Sequence, residues 1–298
     1  MAIFATRSFD EIVTDAERAR LWLDGLQPPV RTGETRLQEI EDRSRQLVTD
    51  LKQLSPEKVV AQHSTPETFY ILGDGFAFGR IAENLSLLQS HEIPRGTLRD
   101  ALAGPLVPKD ESAETGSNDA RNKFAELELA ADLMAKGIRV VGFDDVRFSL
   151  GGREYHIQCK RPFSARGIDS NVEHAYRQLS KRMEDDQDRG FVALAVDKSL
   201  HLDNGFVVEA STDGLEIEQV IRSLHGRLLE HTHRPWERFI DTRVIGVIFI
   251  YKFLVRTREL NVLGTAYYLA LQPLTSAADL QETERQRVLE VVNVLSEG

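Results

Sequence analysis

The sequence predicts an α/β protein preceded by a mainly helical N-terminal region. Three observations predict it. The first hundred residues carry apolar side chains at helical spacing among many charges. Two short runs of alternating polarity flank Gly151-Gly152. Phe191 to Val196 is a continuous apolar run with no polar alternation, as expected of a strand covered on both faces.

The elements follow in order. Phe9 to Leu26 places Ile12, Ala16, Ala19 and Leu23 on one stripe, and Pro28-Pro29 ends it. Leu37 to Leu54 repeats Leu37, Ile40, Leu47, Leu51 and Leu54 among charges, the pattern of a long amphipathic helix. Phe69 to Leu88 is apolar and dotted with glycine, and reads as helical by Arg80 to Leu88. Pro105 to Asp119 is polar with almost nothing to bury, so it reads as a linker or exposed loop. It separates a helical region, 1–110, from an α/β domain, 119–298.

Behind the linker, Asn122 to Lys136 is an expected helix with Phe124, Leu127, Ala131 and Met134 on one stripe and Gly137 as its stop. Arg139 to Phe143, Val146 to Leu150 and Tyr155 to Lys160 are expected strands. A helix from Asn171 to Asp186 turns Val172, Ala175, Leu179 and Met183 inward. After the Phe191 to Val196 strand come a helix (Ile217 to Glu230), two long strands (Arg243 to Val255 and Leu263 to Leu271) and a last helix (Asp279 to Leu295). There is no internal repeat.

The chain has 298 residues, is 41% hydrophobic and 28% charged, and can bury a sizeable core. Its one cysteine, Cys159, excludes an intrachain disulfide and fits a reducing compartment. No apolar core follows a basic stretch at the N-terminus, and the longest apolar run, Val244 to Tyr251, is too short to span a bilayer. The expectation is a cytoplasmic protein with no membrane partner. The net charge of -10 argues against nucleic-acid binding through a broad basic surface, so any such contact is local or needs a metal.

The hairpin carries the chemistry. With Gly151-Gly152 as its two-residue turn, Leu150 faces Arg153, Phe148 faces Tyr155 and Val146 faces Ile157. Those apolar pairs define the core face. Arg147 then faces His156, and Asp145 faces Gln158, on the other side, which Lys160 shares. Directly opposed Cβ atoms lie about 4.5–5.5 Å apart, so Asp145 and Gln158 can reach one cation, with Lys160 diagonally across. A phosphodiester resists attack because its oxygens are already negative. A hard divalent cation on oxygen ligands neutralises that charge and acidifies a bound water. Asp145 supplies the anionic ligand. Gln158 and the Cys159 carbonyl supply neutral oxygens, and Lys160 supplies a positive charge for the water and the developing charge on phosphorus. Glu126, on the preceding helix, adds a carboxylate through water or at a second metal.

Asp145 followed by Gln158-Cys159-Lys160 resembles the PD-(D/E)xK nuclease superfamily. Ala120 to Leu127 looks like the helix that opens its core and carries its glutamate. The family's order of helix, three strands, helix, strand is similar to that of Asn122 to Val196. The resemblance implies a restriction-endonuclease-like α/β/α core with a mixed central sheet, and Mg²⁺- or Mn²⁺-dependent cleavage of DNA, less often RNA. It implies Asp145, Glu126, Gln158 and the Cys159 carbonyl at the metal, with Lys160 at the water and phosphate. It also implies a homo-oligomer as a fitting state, because cutting both strands needs two sites. The chain departs from the motif at Asp144, where proline is usual, and at Gln158, where an acid is usual. The lost negative charge weakens metal affinity and makes Glu126 more important. The resemblance covers about a quarter of the chain, 120–198.

Plainer readings stand beside these. Asp145 alone is an ordinary aspartate at the start of a strand, and Gln158 and Lys160 are a solvated sheet face. Glu128 competes with Glu126, but the two project about 200° apart on a helix, so only one faces the hairpin. The family match favours Glu126. His156 reads as a satisfied sheet histidine and Cys159 as a small core residue. Gln178 is either a surface glutamine or turned toward the site. Arg161, Arg166, Arg177 and Lys181 are local phosphate contacts or a solvated surface. Gly73 to Gly79 superficially resembles a phosphate-cradling loop but lacks a P-loop lysine. His231-Thr232-His233 near His225 suggests zinc less than a helix end before Pro235. The competing functions are a catalytically inactive nuclease-fold protein acting as an interaction module, and a nucleotide binder using the Gly73–Gly79 segment.

Overall fold

The structure, a computed structural model, describes residues 3–6, 8–63, 65–106, 117–143, 145–201, 207–210, 215–230, 232, 241–257, 263–273, 286, 289–291 and 293. The chain opens on a short strand, β1 (Ile3–Thr6), that the sequence reading does not contain. Helix α1 (Phe9–Gly25) begins with a capping box, in which Ser8 Oγ accepts from the Glu11 amide and Glu11 accepts from the Ser8 amide. Then come α2 (Arg36–Gln53), α3 (Pro56–His63), α4 (Pro66–Leu85), α5 (Arg95–Leu102) and α6 (Ser117–Ala135). Of these, α3 and α5 are additional to the expected elements.

The α/β part follows the expected order. Strands β2 (Arg139–Gly142), β3 (Val146–Leu150) and β4 (Arg153–Lys160) precede α7 (Ile168–Arg182) and β5 (Arg189–Ala195). Next are α8 (Asp197–His201), β6 (Val207–Ala210), α9 (Leu215–Glu230), β7 (Val244–Thr257) and β8 (Leu263–Pro273). The short α8 and β6 are again additional. Of the expected terminal helix, Asp279 to Leu295, most lies outside the described residues. Gln286, Leu289, Glu290, Val291 and Asn293 within it are helical.

Among the described residues, one mixed sheet of eight strands runs in the order β1-β8-β7-β5-β4-β3-β2, with β6 beside β7. Pairing is antiparallel from β2 through β4 and parallel from β4 through β5 to β7. Helices cover both faces. On one side Leu129, Ala130 and Leu133 of α6 pack on Val146, Phe148, Ile157, Cys159, Phe191 and Ala193. On the other, α7 and α9 cover Val192, Leu194, Val247 and Phe249. Phe191 and Val192 thus enter opposite cores, which explains why β5 carries no polar alternation.

A third apolar cluster joins the N-terminal helices to this core. Phe124, Leu127 and Ala131 of α6 pack with Leu23, Leu37, Phe78 and Leu98. Helix α6 therefore faces the sheet with one stripe and the N-terminal helices with another. The glycines of α4 permit close approach. A Cβ at Gly79 would lie 2.4 Å from the Asp15 Cβ, and one at Gly75 would lie 3.0 Å from Ile12 Cγ2. Gly73 to Gly79 is buried helix, not a loop, so it has no free amides to cradle a phosphate. No helix among the described residues is long and apolar enough to cross a membrane.

Candidate active site

The β3–β4 hairpin has the register that the Gly-Gly turn predicts: Leu150 opposite Arg153, Phe148 opposite Tyr155, Arg147 opposite His156 and Val146 opposite Ile157. Gly151 and Gly152 both have positive φ, 59° and 77°, as a two-residue turn of this type requires. Phe148 and Tyr155 stack with ring centroids 5.2 Å apart on the α6 face.

Asp145 lies one residue before β3, with φ of 65°. That left-handed conformation costs an ordinary side chain energy, and aspartate tolerates it better than most. The Asp145 residue is 4% exposed and Gln158 is 3% exposed. Both reach one partner, the guanidinium of Arg182 in the last turn of α7. Arg182 Nη1 forms an ion pair with Asp145 Oδ2 and donates to Gln158 Oε1 at 3.4 Å. Asp145 and Gln158 thus share a cation of the protein's own, but the β3–β4 ladder stops at Val146 opposite Ile157, so the direct cross-strand pair expected of them is not part of it. Asp144 lies outside the described residues.

Lys160 ends β4 and is partly buried. Burial pulls its ammonium below the ordinary lysine range, against the attraction of Glu126, Cys159 and Asp119. The pairing of β4 with β3 ends at Ile157, whereas that with β5 runs on to Lys160. The Gln158–Lys160 segment therefore extends beyond the hairpin ladder. Cys159 turns its side chain into the α6-face core, and burial raises its thiol well above the usual range, with Glu126 adding to the effect. It is a poor thiolate nucleophile there.

Glu126 is 3% exposed, and its Oε2 accepts from Lys123 Nζ at 3.0 Å. Glu128 turns elsewhere and pairs with Lys252 of β7 at 3.0 Å. The two glutamates have separate partners, as their angular separation on α6 requires. The site residues therefore fall into two groups whose partners come from helices on opposite faces of the sheet, so the shared face expected of Asp145, Gln158 and Lys160 is not reproduced by their contacts. Asp145 and Gln158 meet at Arg182 of α7. Lys160 lies in the field of Glu126, Asp119 and Lys123 from α6.

The surrounding candidates resolve case by case. His156 Nε2 lies 3.5 Å from Glu154 and 3.6 Å from Asp188, and burial lowers the ring's basicity despite both carboxylates. Arg161 is buried and bound to Asp197 of α8, with its shorter contact at 2.6 Å. Arg177 pairs with Glu173 on the surface of α7. Gln178 Oε1 is buried without a hydrogen-bond partner. His225 Nδ1 meets the Tyr251 hydroxyl at 2.7 Å. Residues 231 and 233 lie outside the described ones.

Sequence reasoning missed Arg182. The signal was present: it follows Leu179 by three residues and Gln178 by four, which places it at the edge of the buried stripe of α7. A basic side chain in the last turn also suits the helix dipole.

The donor chemistry of Asp145 and Gln158, two buried oxygen ligands already facing a cation, fits a hard divalent ion that keeps several of its waters. Among the described residues, no group of three or more histidine, cysteine, aspartate or glutamate side chains is placed to hold a metal. Glu126 thus does not join Asp145 as a direct ligand in this arrangement. The fold and these groups define an α/β protein with a mixed sheet, helices on both faces and a buried polar site at a hairpin. Comparisons with protein-family models, curated proteins and solved structures find no match to the chain.

Proposed function

We propose that the protein is a metal-dependent nuclease of the PD-(D/E)xK type that hydrolyses phosphodiester bonds, in DNA ahead of RNA. The observation that carries this reading is the meeting of the buried Asp145 and Gln158 at a single cationic group. The succession α6, β2, β3, β4, α7, β5 supports it, since the resemblance implies that order. Asp145, Gln158 and the Cys159 carbonyl would hold Mg²⁺ or Mn²⁺. The bound ion would supply charge neutralisation and a water of lowered pKa. Lys160 would hold a positive charge at the edge of the site, and its depressed basicity eases loss of a proton from its Nζ. Glu126 favours the charged form of Lys160, against the larger effect of burial. The net charge of -10 makes a metal and a few local cations, not a basic surface, the means of meeting a phosphate.

The test is cleavage of supercoiled plasmid and of a labelled oligonucleotide in Mg²⁺ and in Mn²⁺. Asp145→Ala and Lys160→Ala should each lower the rate by about a hundredfold or more while melting within a few degrees of wild type. No cleavage by the wild-type protein in either metal would sink the reading, as would cleavage that survives both substitutions.

A second reading rests on a specific observation. Glu126 is already held by Lys123, and Arg182 already neutralises Asp145. A catalytically silent binding module with this fold needs nothing further. It would bind its partner without cleavage in wild type and variants alike.

A further inference from the structure

We propose that Arg182 is a built-in occupant of the metal site, so that a divalent cation enters only by displacing its guanidinium from Asp145 and Gln158. This inference deepens the nuclease reading and rests on it. The residue makes the same two contacts that a metal would need. Its Nη1 meets Asp145 Oδ2 and lies 3.4 Å from Gln158 Oε1. Asp145 and Gln158 are buried and anchored at a hairpin and a central strand, so they do not move easily. Arg182 differs. Its side chain is 49% exposed and projects from the last turn of α7, with a path to solvent.

The chemistry makes the two states mutually exclusive. A divalent ion and a guanidinium at the same carboxylate oxygen repel each other, and both need the same lone pairs. With Arg182 in place, Asp145 is neutralised, which relieves a buried carboxylate of an otherwise large cost. With a metal in place, Arg182 is released outward, where it is free to meet an anion such as a phosphate. The arginine therefore lowers the apparent affinity of the metal by the free energy of its own pairing. It also keeps the site from taking up stray cations in the resting protein.

The experiment measures Mn²⁺ binding to the full chain by the electron paramagnetic resonance of free Mn²⁺, with no nucleic acid present. The proteins are wild type, Arg182→Ala, Arg182→Gln, Asp145→Ala and the Asp145→Ala/Arg182→Ala pair. Arg182→Gln keeps a shorter, uncharged hydrogen-bond donor on the helix, so it reports on loss of the guanidinium even where alanine perturbs the helix end. We expect both Arg182 variants to bind Mn²⁺ at least about tenfold more tightly than wild type, and the tighter binding to vanish when Asp145 is also removed. Thermal melting adds a second reading. Without metal, Arg182→Gln should melt below wild type, and Mn²⁺ should raise its midpoint more than it raises that of wild type. Asp145-dependent binding of equal strength in wild type and both Arg182 variants would overturn the displacement while leaving the metal site standing. Mn²⁺ binding that is absent from every protein, or indifferent to Asp145, would overturn the metal reading itself.

Discussion

Asp145 joins a backbone cost to a chemical role. Its φ of 65° is one that glycine adopts freely, and its carboxylate is buried against Arg182. The two properties can be separated. Asp145→Gly should fold to a stability within about 1 kcal/mol of wild type, because relief of the backbone offsets the lost ion pair, yet it should bind no Mn²⁺. Asp145→Val keeps neither benefit and should cost about 1–3 kcal/mol in denaturant unfolding. A valine variant as stable as the glycine one would show that the left-handed backbone carries no strain. Asp132 offers a second test at this scale. It is buried on α6 beside Arg80, and burial pushes its carboxyl up to about 7, with Arg80 opposing and Glu128 adding. The folded value lies above the unfolded one, so the stability of its protonated form is complete below about pH 4 and lost as pH rises through about 7. Asp132→Asn removes that titration. From about pH 5.5 to about pH 8.5 the melting temperature of the variant should gain on wild type by a few degrees. A constant difference would mean that Arg80 keeps Asp132 ionised throughout. At this scale the facing pairs from Val146 to Leu150 were legible, because a strand has a period of two, whereas Asp145 falls just outside the strand on a left-handed backbone. Arg182 was legible only as a position at the edge of the buried stripe of α7; its meeting with Asp145 depends on how α7 crosses the sheet, which no local pattern encodes.

The hairpin was the most legible element, for a physical reason. Two adjacent glycines at positive φ fix a two-residue turn, and the apolar pairs Phe148/Tyr155 and Val146/Ile157 admit one register. The helices α1, α2, α6, α7 and α9 were legible from their stripes, with boundaries within about five residues of expectation, whereas α4 begins at Pro66, well before the Arg80 from which the sequence reads as helical. Shorter elements were not. β1 has four residues, and its partner β8 begins at Leu263, so nothing near it in sequence announces a strand. The four residues of β6 depend likewise on the far end of β7. Helix α4 shows how a glycine pattern misleads. Gly73, Gly75 and Gly79 resemble a phosphate loop, yet Gly75 and Gly79 allow α1 and α2 to approach closely. Gly79→Ala should therefore push α1 from α4 and cost about 1–3 kcal/mol in urea unfolding, more than the helix-propensity gain of alanine returns. A stabilised Gly79→Ala protein would show that Asp15 yields without cost.

At the scale of the molecule, charges hold the N-terminal helices to the sheet. Asp74 of α4 is buried against Arg121 of α6, with Arg36 of α2 at 3.7 Å and Lys252 of β7 at 4.0 Å. Burial pushes this carboxyl up, but Arg121, Arg36, Lys252 and Arg161 outweigh it and hold Asp74 below its ordinary value. Arg36 also lies over the Phe124 ring at 4.3 Å. Removing one anion from such a cluster leaves buried cations without compensation, so Asp74→Ala should cost about 3–5 kcal/mol by chemical denaturation. An effect below about 1 kcal/mol would show that water reaches the cluster. The sequence indicated two regions and a polar linker but not this junction, which forms only when residues far apart in the chain are brought together. A last consequence concerns β1. Because its backbone pairs with β8, the five helices α1–α5 form a detour that leaves the sheet's edge and returns to it through α6. A protease site inserted between Leu106 and Ser117 should accordingly nick the protein without releasing either half. The fragments should co-elute from a sizing column until denaturant parts them.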